Sequence, residues 1–167
     1  MRLVCLPRRL CLLLVPLVAF LAVAGVTGAA ASPPTSASGN FTTTSGTFNS
    51  IREAGGNLII DLSATVSYTG TLTGTSTVQG ILILRADGSA NFHDVEVFTG
   101  TVNGVPGTVT FSLSGGNDAA GDYKATMAIV SATGELAGLH GVLRQAGSVQ
   151  PPTGPSGTYS GQILFGS

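Results

Sequence analysis

The stretch Leu58-Ile59-Ile60-Asp61-Leu62-Ser63-Ala64-Thr65-Val66-Ser67-Tyr68-Thr69 decides the fold. In an extended chain successive side chains point to opposite faces, so Leu58, Ile60, Leu62, Ala64, Val66 and Tyr68 share one side and Asp61, Ser63, Thr65, Ser67 and Thr69 the other. A helix would scatter the same groups around its circumference. The period of two returns in Val109, Phe111 and Leu113, in Tyr123, Ala125, Met127 and Ile129, and in Tyr159, Gly161, Ile163 and Phe165. Between the runs stand Gly55-Gly56, Asp87-Gly88, Asn103-Gly104, Gly115 to Asp118 and Pro151 to Gly157, residue types that turn a chain. From Ser32 onward, 57 of 136 residues are Gly, Ser or Thr, a bias that disfavours helix and suits strands joined by tight turns. The expectation is an all-β fold of about eight antiparallel strands. A sheet of that size closes or splits in two, since open edges invite aggregation. The chain has no Trp, no cysteine pair beyond the N-terminal region and long alternating runs, which favours a closed up-and-down β-barrel over an immunoglobulin-like sandwich.

Three parts are expected along the chain: a signal peptide over residues 1–31, a disordered Ser/Pro-rich leader over residues 32–39, and one β-barrel domain over residues 40–167. Arg2, Arg8 and Arg9 precede an unbroken apolar run from Leu10 to Val26, followed by Ala29-Ala30-Ala31, a small-residue cleavage pattern. This reads as a signal helix of the general secretory route and predicts a secreted domain. The alternative is an uncleaved membrane anchor with the domain outside, although Pro16 interrupts a run at the short limit for spanning. Cys5 and Cys11 fall inside the signal, so the mature domain has no disulfide, thiolate nucleophile or zinc-thiolate site. From Ser32 onward eight acids face only Arg52, Arg85, Lys124 and Arg144. That balance argues against a nucleic-acid partner, because there is no basic stripe to neutralise phosphates.

Three segments stand out: Tyr68-Thr-Gly-Thr-Leu-Thr-Gly74, then Arg85-Ala-Asp-Gly-Ser-Ala-Asn-Phe92 leading into Val95-Glu96 and Thr99-Gly100-Thr101, and Ala132-Thr-Gly-Glu-Leu-Ala-Gly-Leu-His-Gly141. Together they resemble the domain-of-unknown-function 3224 family, whose members are assigned a barrel similar to that of allene oxide cyclase and the calycins. Two departures stand out: Ser45 to Ser50 replaces an acidic and aromatic cluster, and Ala86 replaces a proline before the Asp-Gly turn. The resemblance implies the barrel and a counterpart for Glu96; it implies no established activity.

One hairpin breaks the rule of a single apolar face. Val78, Leu82 and Leu84 oppose Ile81 and Ile83, while Phe92, Asp94, Glu96 and Phe98 oppose His93, Val95 and Val97. The turn at Asp87-Gly88 sets which set faces inward. A two-residue type I′ turn would pair Ile83 with Phe92, whereas a type I turn with a bulged glycine asks the left-handed region only of Gly88. The bulged form is preferred, and it places Asp94 and Glu96 inside between Phe92 and Phe98. Ile81, Ile83, Val95 and Val97 then form an outer stripe suited to self-association as a dimer or trimer. Two acids walled by apolar groups should hold a raised pKa and suit acid/base work or the polar anchoring of an apolar ligand. The alternative leaves both acids in water or paired with Arg85 or Lys124. They fall short of the six to eight oxygens calcium takes, so no metal and no cofactor is expected. His140, after the Gly-rich Ala132 to Gly141 segment, joins the ligand-site candidates at a barrel mouth.

No nucleophile elbow, zinc-protease helix, phosphate loop, dinucleotide fingerprint or EF-hand pattern occurs. The preferred function is an exported, non-catalytic barrel that binds a small, largely apolar molecule through Glu96, Asp94, Phe92, Phe98 and His140. An isomerase or cyclase follows only from fold analogy, and a self-associating surface module is the third reading.

Overall fold

The computed structural model describes residues 33–166, so the expected signal segment lies outside the described residues. Eight strands follow one another: β1 (Thr35–Ala54), β2 (Asn57–Gly70), β3 (Leu72–Leu84), β4 (Ala90–Val102), β5 (Val105–Asn117), β6 (Asp122–Gly134), β7 (Leu139–Gln150) and β8 (Gly154–Phe165). Each pairs antiparallel with the next, and β8 returns to pair with β1, so the strands form a closed ring. No helix occurs among the described residues, and none there is long and apolar enough to cross a membrane.

The expected leader is corrected at its C-terminal part. Thr35 to Gly39 is already strand, laddered to β8 from Thr35 opposite Ile163 to Gly39 opposite Tyr159. Its inward positions carry only Ala37 and Gly39, too small to register as an apolar period, yet Ala37 is fully buried. Backbone pairing and close approach hold this segment rather than large side chains.

The ring is asymmetric. β1 pairs with β8 only as far as Thr42 opposite Ser156, but stays with β2 as far as Ala54 opposite Asn57. The far half of β1 therefore has a partner on one side only and forms a free edge, while β2 stays laddered to β3 from Leu58 opposite Leu84 onward. Register shifts between Thr43 and Ser45 and between Phe48 and Ser50 bend β1 there. Between them Phe48 stands opposite Leu62, and past the second Ile51 stands opposite Ile60, both on the inward face.

Large side chains fill the ring. At the end carrying the β2–β3, β4–β5 and β6–β7 turns, Leu72, Val102, Leu136 and Leu139 are buried and seal it. In the middle, Tyr68 meets Phe98 edge to face at 5.9 Å and Tyr159 at 5.7 Å. Each such pair adds roughly 0.5–1.5 kcal/mol beyond its area burial. The Tyr159 hydroxyl accepts from the Leu72 amide at 2.7 Å, tying β8 to the start of β3. Phe111, Met127 and Leu143 complete this layer. The lumen expected to enclose a ligand is thus occupied by the protein's own side chains through its middle and its sealed end.

Candidate functional site

The β3–β4 turn sets the site. Arg85 O accepts from Gly88 N at 3.0 Å and Arg85 N donates to Ser89 O at 2.9 Å, while Gly88 sits at φ 84°. This is a type I turn closed by a glycine in the left-handed region, the conformation that residue adopts without steric penalty. Asp87 stabilises it by accepting from the Ser89 amide and hydroxyl, and those bonds hold its carboxyl below the usual range. The resulting register puts Leu82 opposite Phe92, Gly80 opposite Asp94, Val78 opposite Glu96 and Ser76 opposite Phe98. All four β4 side chains face inward.

The two acids differ in environment. Glu96 is 1% exposed, accepts a hydrogen bond from the Ser76 hydroxyl and belongs to a buried polar chain. In that chain Gln145 Nε2 donates to the Tyr68 hydroxyl at 2.9 Å, and the Tyr123 hydroxyl donates to Gln145 Oε1 at 3.0 Å. Burial raises the Glu96 pKa, and hydrogen bonds from Ser76 and Tyr68 oppose the rise. Burial, reinforced by the Glu96 charge, pushes the Tyr68 and Tyr123 hydroxyls up, which keeps both protonated. Asp94 is 7% exposed, and its Oδ1 is buried with no hydrogen-bond partner. Burial first, and the neighbouring Glu96 second, lift its pKa to about 7. Native interiors rarely leave a polar atom in this state, because an unsatisfied buried acceptor costs roughly 1–3 kcal/mol.

Room for this carboxyl comes from Gly80. A Cβ at that position would collide with the Asp94 carboxylate and the His93 carbonyl. Beside Gly80 on β2 lies Leu62, only half-buried. Toward the unsealed end the inward face stays apolar but becomes progressively open. Phe92, Leu82 and Leu84 are half-buried, and Leu58, Ile51 and Phe48 are exposed. The Phe92 ring stacks on Tyr123 at 5.5 Å with planes 4° apart. The open end is thus an apolar vestibule beside the free edge of β1, with an unpaired carboxylate at its floor.

The other candidates fall elsewhere. Phe98 is fully buried under Tyr68 and acts as packing. His140 does not join the site: Leu139 takes the inward position beside it, which turns His140 outward at the sealed end. Glu96 is committed to Ser76 and the polar chain. Ile81, Ile83, Val95 and Val97 line the outer surface, each 39–49% exposed. A shallow groove of about 310 Å³ there is lined by Ile81, Ile83, Asn91, Phe92 and His93. Among the described residues no group of three or more His, Cys, Asp or Glu could hold a metal ion. Sequence reading missed Ser76 as the partner of Glu96 and Gln145 as the link between Tyr68 and Tyr123; the Leu143, Gln145, Gly147 alternation carries the signal for Gln145. It also missed Phe48 and Ile51, whose period the two bulges in β1 interrupt.

Fold and site define a small all-β ring packed through its middle and open at one acid-bearing end. A family model described as protein of unknown function, DUF3224, matches residues 34–149, and the chain belongs to that family. Among solved structures, it is similar to a DUF3224 protein of unknown function from Shewanella oneidensis MR-1, with a TM-score of 0.64 and 21% identity over 81% of this chain and 100% of that one. At that identity the likeness bears on fold alone. No curated protein matches.

Proposed function

We propose that this protein is a non-catalytic binding module that takes a small, largely apolar molecule into the vestibule, with Asp94 as its polar contact. The observation that carries this reading is the buried, partnerless Oδ1 of Asp94 beneath half-open apolar walls. A bound donor would satisfy an atom that the protein leaves unpaired, and the apolar rim would gain burial at about 25 cal/mol per Å². The filled middle of the ring limits the ligand to the open end. It also leaves the isomerase or cyclase reading, which rests only on fold analogy, without a substrate-sized lumen.

Native mass spectrometry of protein purified from its own host tests the reading. Wild type is expected to retain a small compound that Phe48→Asp and Asp94→Asn release; a mass equal to the bare chain in all three would count against it.

The outer stripe supports a second reading, self-association of two copies through Ile81, Ile83, Val95 and Val97, since four adjacent apolar side chains there face outward. We propose export as well, on the Arg-flanked apolar run and the Ala29-Ala30-Ala31 pattern. N-terminal sequencing of protein from the culture medium should begin near Ser32; recovery of intact Met1 chains only in the membrane fraction would favour the anchored form.

A further inference from the structure

Resting on the vestibule reading, we propose that the occupant is an organic ammonium ion, an amine whose N–H groups meet Asp94 and whose apolar body lies against Leu62, Phe92 and Phe48. The interior offers the acid no protein donor. The Tyr123 hydroxyl is spent on Gln145, the Ser76 hydroxyl on Glu96, and the Gln145 amide on Tyr68. Arg52, Arg85, Lys124, Arg144, His93 and His140 are all exposed on the outer surface or the rim. The floor of the vestibule therefore holds two acidic groups and no cation.

That arrangement discriminates among head groups. A carboxylate would meet Asp94 and Glu96 as a like charge in a low-dielectric site. To the ionised acid a ketone or ether would bring an acceptor to an acceptor. An alcohol donates one neutral hydrogen bond. An ammonium supplies charge and donors together, and charged hydrogen bonds are about twice as strong as neutral ones.

The uptake is coupled to a proton. The groups facing Asp94 are Glu96 on its own strand and Tyr123 on β6, whose hydroxyl stays protonated because its pKa is raised. With Asp94 at about 7, the ionised fraction grows about tenfold between pH 6 and pH 8, and Glu96, also raised, adds in the same direction. Amine affinity should rise accordingly with pH.

The test uses hexylamine, 1-hexanol and hexanoate on the folded chain, read by calorimetry and by amide NMR shifts at pH 6 and pH 8. At pH 8 hexylamine is expected to bind at least tenfold more tightly than hexanol, to weaken about tenfold at pH 6, and to shift the signals of Leu62, Phe92 and Asp94. Hexanoate is expected to give no saturable shift. Asp94→Asn should cut the amine's advantage over hexanol below threefold, and the wild-type pH series makes the same discrimination if that variant does not fold. Equal binding of hexanol and hexylamine at both pH values would overturn the amine proposal and leave the vestibule standing. Amine shifts confined to the exposed acids Asp118 and Asp122 would overturn it too. No shift at Leu62, Phe92 or Asp94 with any of the three compounds would remove the proposal and the vestibule reading together.

Discussion

Asp94 and Glu96 sit two positions apart on one strand face, yet only one has its hydrogen-bonding needs met. Glu96 gains Ser76 and the Tyr68–Gln145–Tyr123 chain; Asp94 gains a neighbouring glycine and no donor. The consequence for stability has a definite sign. A carboxyl whose folded pKa lies above its unfolded value binds its proton more tightly when folded, so stability is highest at low pH and declines as pH rises from the unfolded pKa through the folded one. For Asp94 that window runs from 3.8 to about 7, and the decline is on the order of 4 kcal/mol. Asp94→Asn should remove this part of the slope, leaving the variant more stable than wild type at pH 8 and less favoured at pH 4; urea titrations across that range would measure it. Gly80→Ala should be destabilising by more than about 2 kcal/mol in the same assay, because its Cβ meets both the Asp94 carboxylate and a backbone carbonyl. Neither acid's partners were legible in the sequence. Side-chain alternation says which face a residue occupies, but not that Ser76, across the β3–β4 ladder, would reach Glu96 while Asp94 would meet no donor.

Among the strands, the β3–β4 hairpin was readable because its turn chemistry is local. Asp87-Gly88 can close a bulged type I turn using residues within five positions of one another, and that turn alone fixes the face of Phe92, Asp94, Glu96 and Phe98. Gly88→Ala should cost about 1 kcal/mol in thermal unfolding through the left-handed φ alone. β1 was not readable for the opposite reason. Its first inward residues are Ala37 and Gly39, and two bulges shift its phase, so no window of it shows a clean period. Its far half, paired with β2 alone, borders the open end. Phe48→Ser and Ile51→Ser lie on exposed positions and should change stability by less than about 0.5 kcal/mol while weakening vestibule binding; calorimetry on both properties separates the two roles.

The ring as a whole was foreseeable from the number of alternating runs and the need to bury strand edges, but its filling was not. Whether inward side chains leave a lumen depends on strand tilt, stagger and the fit of Tyr68, Phe98, Phe111, Met127, Leu143 and Tyr159, which arises only when all eight strands are in place. Leu136, carried on the β6–β7 turn and 0% exposed, plugs the sealed end. Leu136→Ala should cost about 2–5 kcal/mol in chemical denaturation, as expected of a buried leucine with little room to collapse. If copies associate through the outer stripe, Ile83→Lys should reduce the sedimenting mass to that of one chain; an unchanged mass would remove that face as an interface. One asymmetry distinguishes the two ends of the molecule, an opening above an acid that the protein does not pair. A ¹³C NMR titration of the Asp94 carboxyl carbon measures it most directly. A midpoint near 7 is predicted, and a midpoint near the ordinary 3.8 would place the carboxyl in water or against an unseen donor and contradict the site.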